Sequence, residues 1–166
     1  ANSVVTTGID NDNVTIQNNT ILNTYYGIYG SGTATVSAGG SDNWNISANT
    51  IGPVTSGTNH IGFRGIFVSN APGIVITNNT IQNIFPGASG ASAIYLSAGI
   101  NGGSVSQNTI ANLSSTVAAS GTGALNGIYV GSNVINSTIN ANQIYGVVNN
   151  KASGYSGRGI IINTAN

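Results

Sequence analysis

Seven side chains in this sequence carry the groups that acid–base or metal chemistry needs. The acids are Asp10, Asp12 and Asp42, with no glutamate; the bases are His60, Arg64, Lys151 and Arg158. Two well-placed carboxylates are enough for glycoside hydrolysis. A cluster of aspartate and asparagine oxygens is enough to hold Ca²⁺. The absence of Cys excludes disulfides, thiol catalysis and Cys-ligated zinc.

Internal repeats place these residues. Aligning Val14 with Trp44 sets Asp12 over Asp42, one coil apart, with Asp10 two residues from Asp12. The three acids therefore gather at one corner of the first two coils, where like charges repel unless compensated. Bound Ca²⁺ would compensate, with Asn11, Asn13 and Asn43 adding oxygens; the plainer reading is that these residues cap exposed turns. Ca²⁺ at Asp10, Asp12 and Asp42 is the one cofactor in view. His60 and Arg64 are expected in a loop that need not face the acids, and Lys151 and Arg158 fall in the last coil. A base and an acid are thus not brought together, so no catalytic residue is assigned.

The positioning elements are short strands. One pattern recurs at Val14–Ile21, Trp44–Ile51, Ile74–Ile81, Gly103–Ile110 and Ser137–Ile144, its copies starting 30, 30, 29 and 34 residues apart. A second interleaves with it as Gly27-Ile-Tyr29, Gly65-Ile-Phe67, Ala93-Ile-Tyr95, Gly127-Ile-Tyr129 and Gly159-Ile-Ile161. Side chains at i and i+2 of a strand share a face. Ile16, Ile46, Ile76, Val105 and Ile139 therefore point inward and stack, as do Ile21, Ile51, Ile81, Ile110 and Ile144. Gly, Asn, Ser and Thr are weak helix formers, so no helix is expected. One coil cannot bury its apolar face, but stacked coils can. The predicted fold is all-β: a right-handed parallel β-helix of about five coils of ~30 residues without helical caps, one domain over residues 1–166.

Between the inner aliphatics stands an invariant residue: Asn19, Asn49, Asn79, Asn108 and Asn142. At the roughly 4.8 Å spacing of stacked strands their amides can bond in a ladder along the axis. Asn also tolerates the left-handed backbone that tight corners need. Tyr29, Phe67, Tyr95 and Tyr129 each follow an inward Ile, so alternation turns them outward into one stripe. Such a stripe can meet a protein or a sugar ring, or lie beneath the long segments 52–64 and 111–126.

The Gly-Ile-Tyr-Val string followed by Val-x-Ile-x-Asn-Asn-Thr-Ile units resembles the repeats of the pectin-lyase-like superfamily of parallel β-helices. The resemblance spans nearly the whole chain and implies the fold. It leaves function open, because that superfamily includes polygalacturonases, polysaccharide lyases, phage tailspikes and non-catalytic surface proteins. The polygalacturonase motifs Asn-Thr-Asp, Asp-Asp, His-Gly and Arg-Ile-Lys are not matched by Gly8-Ile-Asp-Asn-Asp12, His60-Ile or Arg64-Gly-Ile.

Composition bounds the partners. Charged residues are 4% of the 166, with net charge zero, against roughly 25% in an ordinary domain. With no basic patch, nucleic acid is not an expected partner; no apolar run approaches the ~20 residues that cross a bilayer, so membrane insertion is not expected either. Scarcity of Lys, Cys and Met suits an extracellular or cell-surface protein. Neither end reads as a cap: Ser3-Val-Val-Thr6 is strand-like, and Ile160-Ile161-Ile162 precedes four polar residues. The expected partner is thus a copy of itself, head to tail, through Val4, Val5, Ile160, Ile161 and Ile162, or a longer solenoid of which this chain is a segment. The expected function is an extracellular structural solenoid, a filament subunit or part of an adhesin stalk; a pectinase-like enzyme or a glycan-binding module is the alternative.

Overall fold

Three short strands per turn, broken by residues that accept a left-handed backbone, set the architecture. The computed structural model describes residues 11–32, 41–55, 57–87, 89–115, 125–150 and 157–163. Its strands make three parallel sheets, each five strands deep. The first sheet runs β1 (Thr15–Gln17), β4 (Asn45–Ser47), β7 (Val75–Thr77), β11 (Ser104–Ser106), β15 (Thr138–Asn140). The second runs β2 (Thr20–Ile21), β5 (Thr50–Ile51), β8 (Thr80–Gln82), β12 (Thr109–Ser115), β16 (Gln143–Asn149). The third runs β3 (Tyr26–Ser31), β6 (Arg64–Ser69), β9 (Ala91–Leu96), β13 (Leu125–Val130), β17 (Arg158–Ile162). A two-stranded sheet, β10 (Ile100–Asn101) with β14 (Val134–Ile135), joins the third face to the first. No helix occurs among the described residues. The chain is a parallel β-solenoid.

Register follows the repeat. Ile16 lies beside Ile46, Ile46 beside Ile76, Ile76 beside Val105 and Val105 beside Ile139. Ile21, Ile51, Ile81, Ile110 and Ile144 do the same on the second sheet. These columns and that of Ile28, Ile66, Ile94 and Ile128 converge on the axis, where the inner members are fully buried. Each such side chain contributes about 1.5–3 kcal/mol relative to exposure.

The tight corner is made differently from the expectation. The ladder asparagines are not themselves left-handed; the residue before each one is. Asn18, Ala48, Asn78, Gln107 and Ala141 have φ of 58°, 54°, 55°, 56° and 51°. That turn rotates the next side chain inward, which is why the ladder position accepts Asn in every rung while the corner position varies. Elsewhere glycine is required by close approach. A Cβ on Gly65 would lie 2.5 Å from Ile81 Cγ2 and 2.6 Å from the Ala93 carbonyl oxygen.

Ile160 and Ile162 hold the inner positions beside Ile128 and Val130. They are 50% and 66% exposed, where Ile128 and Val130 are 0% and 6%. Among the described residues the apolar core is open at β17.

Candidate functional site

Four constellations are candidates: the asparagine ladder, the acidic corner, the open end and the aromatic face. The ladder is continuous. Asn19 Nδ2 donates to Asn49 Oδ1 at 2.9 Å, Asn49 to Asn79 at 3.0 Å, Asn79 to Asn108 at 3.0 Å and Asn108 to Asn142 at 2.9 Å. Each acceptor oxygen also takes the preceding asparagine's backbone N–H at 3.0 Å. Every dipole points the same way, and Asn49, Asn79 and Asn108 are buried. Among the described residues no donor reaches Asn19 Oδ1. Among the described residues the Asn142 amide donates to the Val105 and Asn140 carbonyls alone.

Asp12 and Asp42 meet as the repeats imply. The Asp42 backbone N–H donates to Asp12 Oδ1 at 2.9 Å, and the Asn13 N–H donates to the Asp42 carbonyl at 2.8 Å. Asp12 therefore caps the turn of the next coil. Partial burial, then the charge of Asp12, holds the Asp42 carboxyl above its usual value. Asp10 lies outside the described residues, as do Val4, Val5 and Lys151. No group of three metal-ligating acids, histidines or cysteines occurs among the described residues. Ile161 sits beside Tyr129 on the outer face of β17, while Ile160 and Ile162 form the open inner edge.

The aromatic stripe forms, and it is larger than the sequence pattern suggests. Tyr29 stacks on Phe67 at 4.8 Å between ring centres, Phe67 on Tyr95 at 5.6 Å and Tyr95 on Tyr129 at 4.3 Å. The planes diverge by 13°, 25° and 5°. A second, shorter stack pairs Tyr25 with Phe63 at 5.2 Å. Tyr26 bridges the two stacks edge-on, touching Tyr25, Tyr29, Phe63 and Phe67. Phe63, from the end of the 52–64 segment, is thus part of the face. In the other long segment, residues 111–115 belong to β12.

Arg64 belongs to this face and not to a loop: it opens β6, beside Tyr26 and Ser92. Strict alternation would put Tyr26 and Arg64 inside, on the parity of Ile28 and Ile66. The strand pairing skips Gly27 and Gly65, so alternation restarts there and both side chains join the outer rings. The Arg64 guanidinium carbon lies 3.8 Å from the centre of Tyr95, 4.5 Å from Phe63 and 5.2 Å from Phe67. Its Nε is buried and has no hydrogen-bond partner among the described residues. Desolvation lowers the guanidinium's pKa, against an opposing pull from Tyr26, Tyr95, Tyr25 and Tyr129. Burial, then Tyr129, raises that of Tyr95. His60 lies elsewhere, its ring edge-on to Phe85 at 5.8 Å and its Nδ1 3.2 Å from the Gly57 carbonyl oxygen. The adjacent Tyr25-Tyr26 and Phe63-Arg64 pairs, each just ahead of a Gly-Ile-aromatic string, were the sequence signal for the enlarged face.

No family model, curated protein or solved structure matches this chain. What defines it is its own fold: a parallel β-solenoid with an asparagine spine inside and an arginine-bearing aromatic face outside.

Proposed function

We propose that the protein is an extracellular structural β-solenoid that extends end to end, as a filament subunit or a segment of a surface stalk. One observation carries the reading: the inner residues Ile160 and Ile162 of β17 are half or more exposed, on a strand paired on one side only. Such an edge is a template for another strand. The one-way ladder adds complementarity, with Asn142 ending as a donor and Asn19 Oδ1 as a free acceptor among the described residues. A head-to-tail contact of this kind does not close on itself and builds an open filament. The acids at the first coils and Arg158 at the last give the rod opposite ends, a minor contribution of about 0–1 kcal/mol per exposed pair.

The pectinase-like alternative has less support. Asp12 is engaged as a turn cap, and His60 and Arg64 pack on aromatic rings and not beside the acids. Electron microscopy of the purified chain tests the proposal. Filaments with an axial strand repeat of about 4.8 Å are expected, and Ile160→Lys with Ile162→Lys should abolish them while leaving the circular dichroism spectrum unchanged. Single particles of one chain at every concentration would overturn it.

A further inference from the structure

The aromatic face offers its chemistry in an unusual orientation. Phe67 and Tyr95 are stacked on both sides, Tyr25 and Phe63 cover each other, and Tyr26 stands edge-on across both stacks. Both faces of Phe67 and Tyr95, and one face each of Tyr25, Phe63, Tyr29 and Tyr129, are thus covered by neighbouring rings, and solvent meets the ring edges and phenol hydroxyls along the stack, with Tyr25 55% and Tyr29 61% exposed. A sugar stacks on ring faces, and at the centre of the stack, Phe67 and Tyr95, those faces are already taken. Ring edges carry the positive part of the aromatic quadrupole, phenols are donors, and a guanidinium is set among them. All three favour negative charge.

Among the described residues none is supplied there: Asp12 and Asp42 sit together at the turns of the first two coils. The chain's whole acid inventory is Asp10, Asp12 and Asp42. The charges and dipoles acting on Arg64 come from Tyr26, Tyr95, Tyr25 and Tyr129, with no carboxylate among them. A half-buried cation is ordinarily paired, and an unmade hydrogen bond at a covered N–H is costly. Rigid Tyr, Phe and Arg side chains free of nearby acids are also the composition of energetic centres in protein interfaces.

We propose that the face formed by Tyr25, Tyr26, Tyr29, Tyr95 and Arg64 is a docking surface for a protein partner that brings an Asp or Glu carboxylate to the Arg64 guanidinium. The carboxylate pairs with the guanidinium through its terminal amino groups, Nε itself being covered, and the partner's apolar surface covers the ring edges around it. The proposal is independent of end-to-end extension, because the face lies on the flank of the rod and not at its ends.

A random peptide library panned against the immobilised whole chain is the test. Selected peptides are expected to share an acidic residue. Their affinity should fall about thirtyfold in Arg64→Gln, fall in Tyr29→Ala, and weaken as salt rises. Tyr145→Ser, at a 55% exposed tyrosine on β16 away from this face, should change nothing. Should Arg64→Gln fail to fold, the wild-type Arg64 Nε–H resonance decides, since it must shift when a selected peptide is added. Peptides without acidic enrichment, no binders at all, or binding indifferent to Arg64 overturn the proposal. Tighter retention of heparin or oligo-uronate fragments than of any peptide also overturns it, and gives the face to glycans.

Discussion

Asn79 Nδ2 donates to Asn108 Oδ1 at 3.0 Å and to the Ile46 carbonyl at 2.9 Å, so one buried amide ties together three successive coils. Its own Oδ1 takes both the Nδ2 and the backbone N–H of Asn49. Lateral stability and axial order thus pass through the same side chain.

Asn79→Ala should destabilise the fold by about 1–3 kcal/mol, because it removes the amide that bonds the Ile46 and Thr77 carbonyls and Asn108 Oδ1, and it takes away the Asn79 Oδ1 acceptor of the buried Asn49 backbone N–H. Asn79→Asp should be worse, since a carboxylate there adds a buried charge and donates nothing. Asn19→Ala, at the exposed first rung, should cost less. Chemical denaturation midpoints for the three variants check the order, and equal midpoints would remove the ladder from the account of stability.

The strained corner gives a prediction of opposite sign. Ala48 and Ala141 sit at φ of 54° and 51° on exposed positions. A left-handed alanine costs about 1–2 kcal/mol, and Asn tolerates that region better. Ala48→Asn, which recreates the Asn-Asn pair of Asn18-Asn19 and Asn78-Asn79, should stabilise by roughly 0.5–1 kcal/mol. Asn78→Ala should lose a similar amount. Thermal melts that move the other way would show that the corner is held by something other than backbone preference.

Asp12 separates the capping reading from the Ca²⁺ reading. As a cap, Asp12→Asn keeps an oxygen for the Asp42 N–H and removes a like charge, so stability near neutral pH should hold or rise. The Asp42 pKa lies above 3.8 in the folded chain, so the native state keeps this proton to higher pH than the unfolded chain does. That contribution to stability is present below pH 3.8 and is lost as pH rises through the folded value; Asp12→Asn should reduce it only in part, because burial is the larger cause of the shift. If Ca²⁺ is held, a chelator lowers the melting temperature and Asp12→Asn abolishes that response. Calorimetry with and without chelator distinguishes the two.

The parallel stacking of coils, the inward columns and the ladder were legible because each is written in period: a repeat near 30 residues and alternation of two within each strand. Asp12 over Asp42 followed from the same alignment. Arg64 was not legible. The sequence reading puts it in a loop, whereas it opens β6 and lies on the outer rings, because the strand pairing skips Gly65, where Ile81 and the Ala93 carbonyl approach closely. The left-handed residue was likewise displaced by one position, because Asn is favoured both at left-handed corners and in amide ladders, and Ala48 and Ala141 carry no sign of the corner.

What the sequence by itself determined is the rod: which side chains face inward, how many rungs stack and which amides form the spine, since these depend on neighbours one repeat away. What only the tertiary structure decided is the outer chemistry. Whether a tyrosine shows its face or its edge, whether Asp12 reaches a turn N–H, and whether a lone arginine lies on rings or in water are set by side-chain packing between coils. That packing varies from rung to rung while the backbone repeat stays the same, so no periodicity records it.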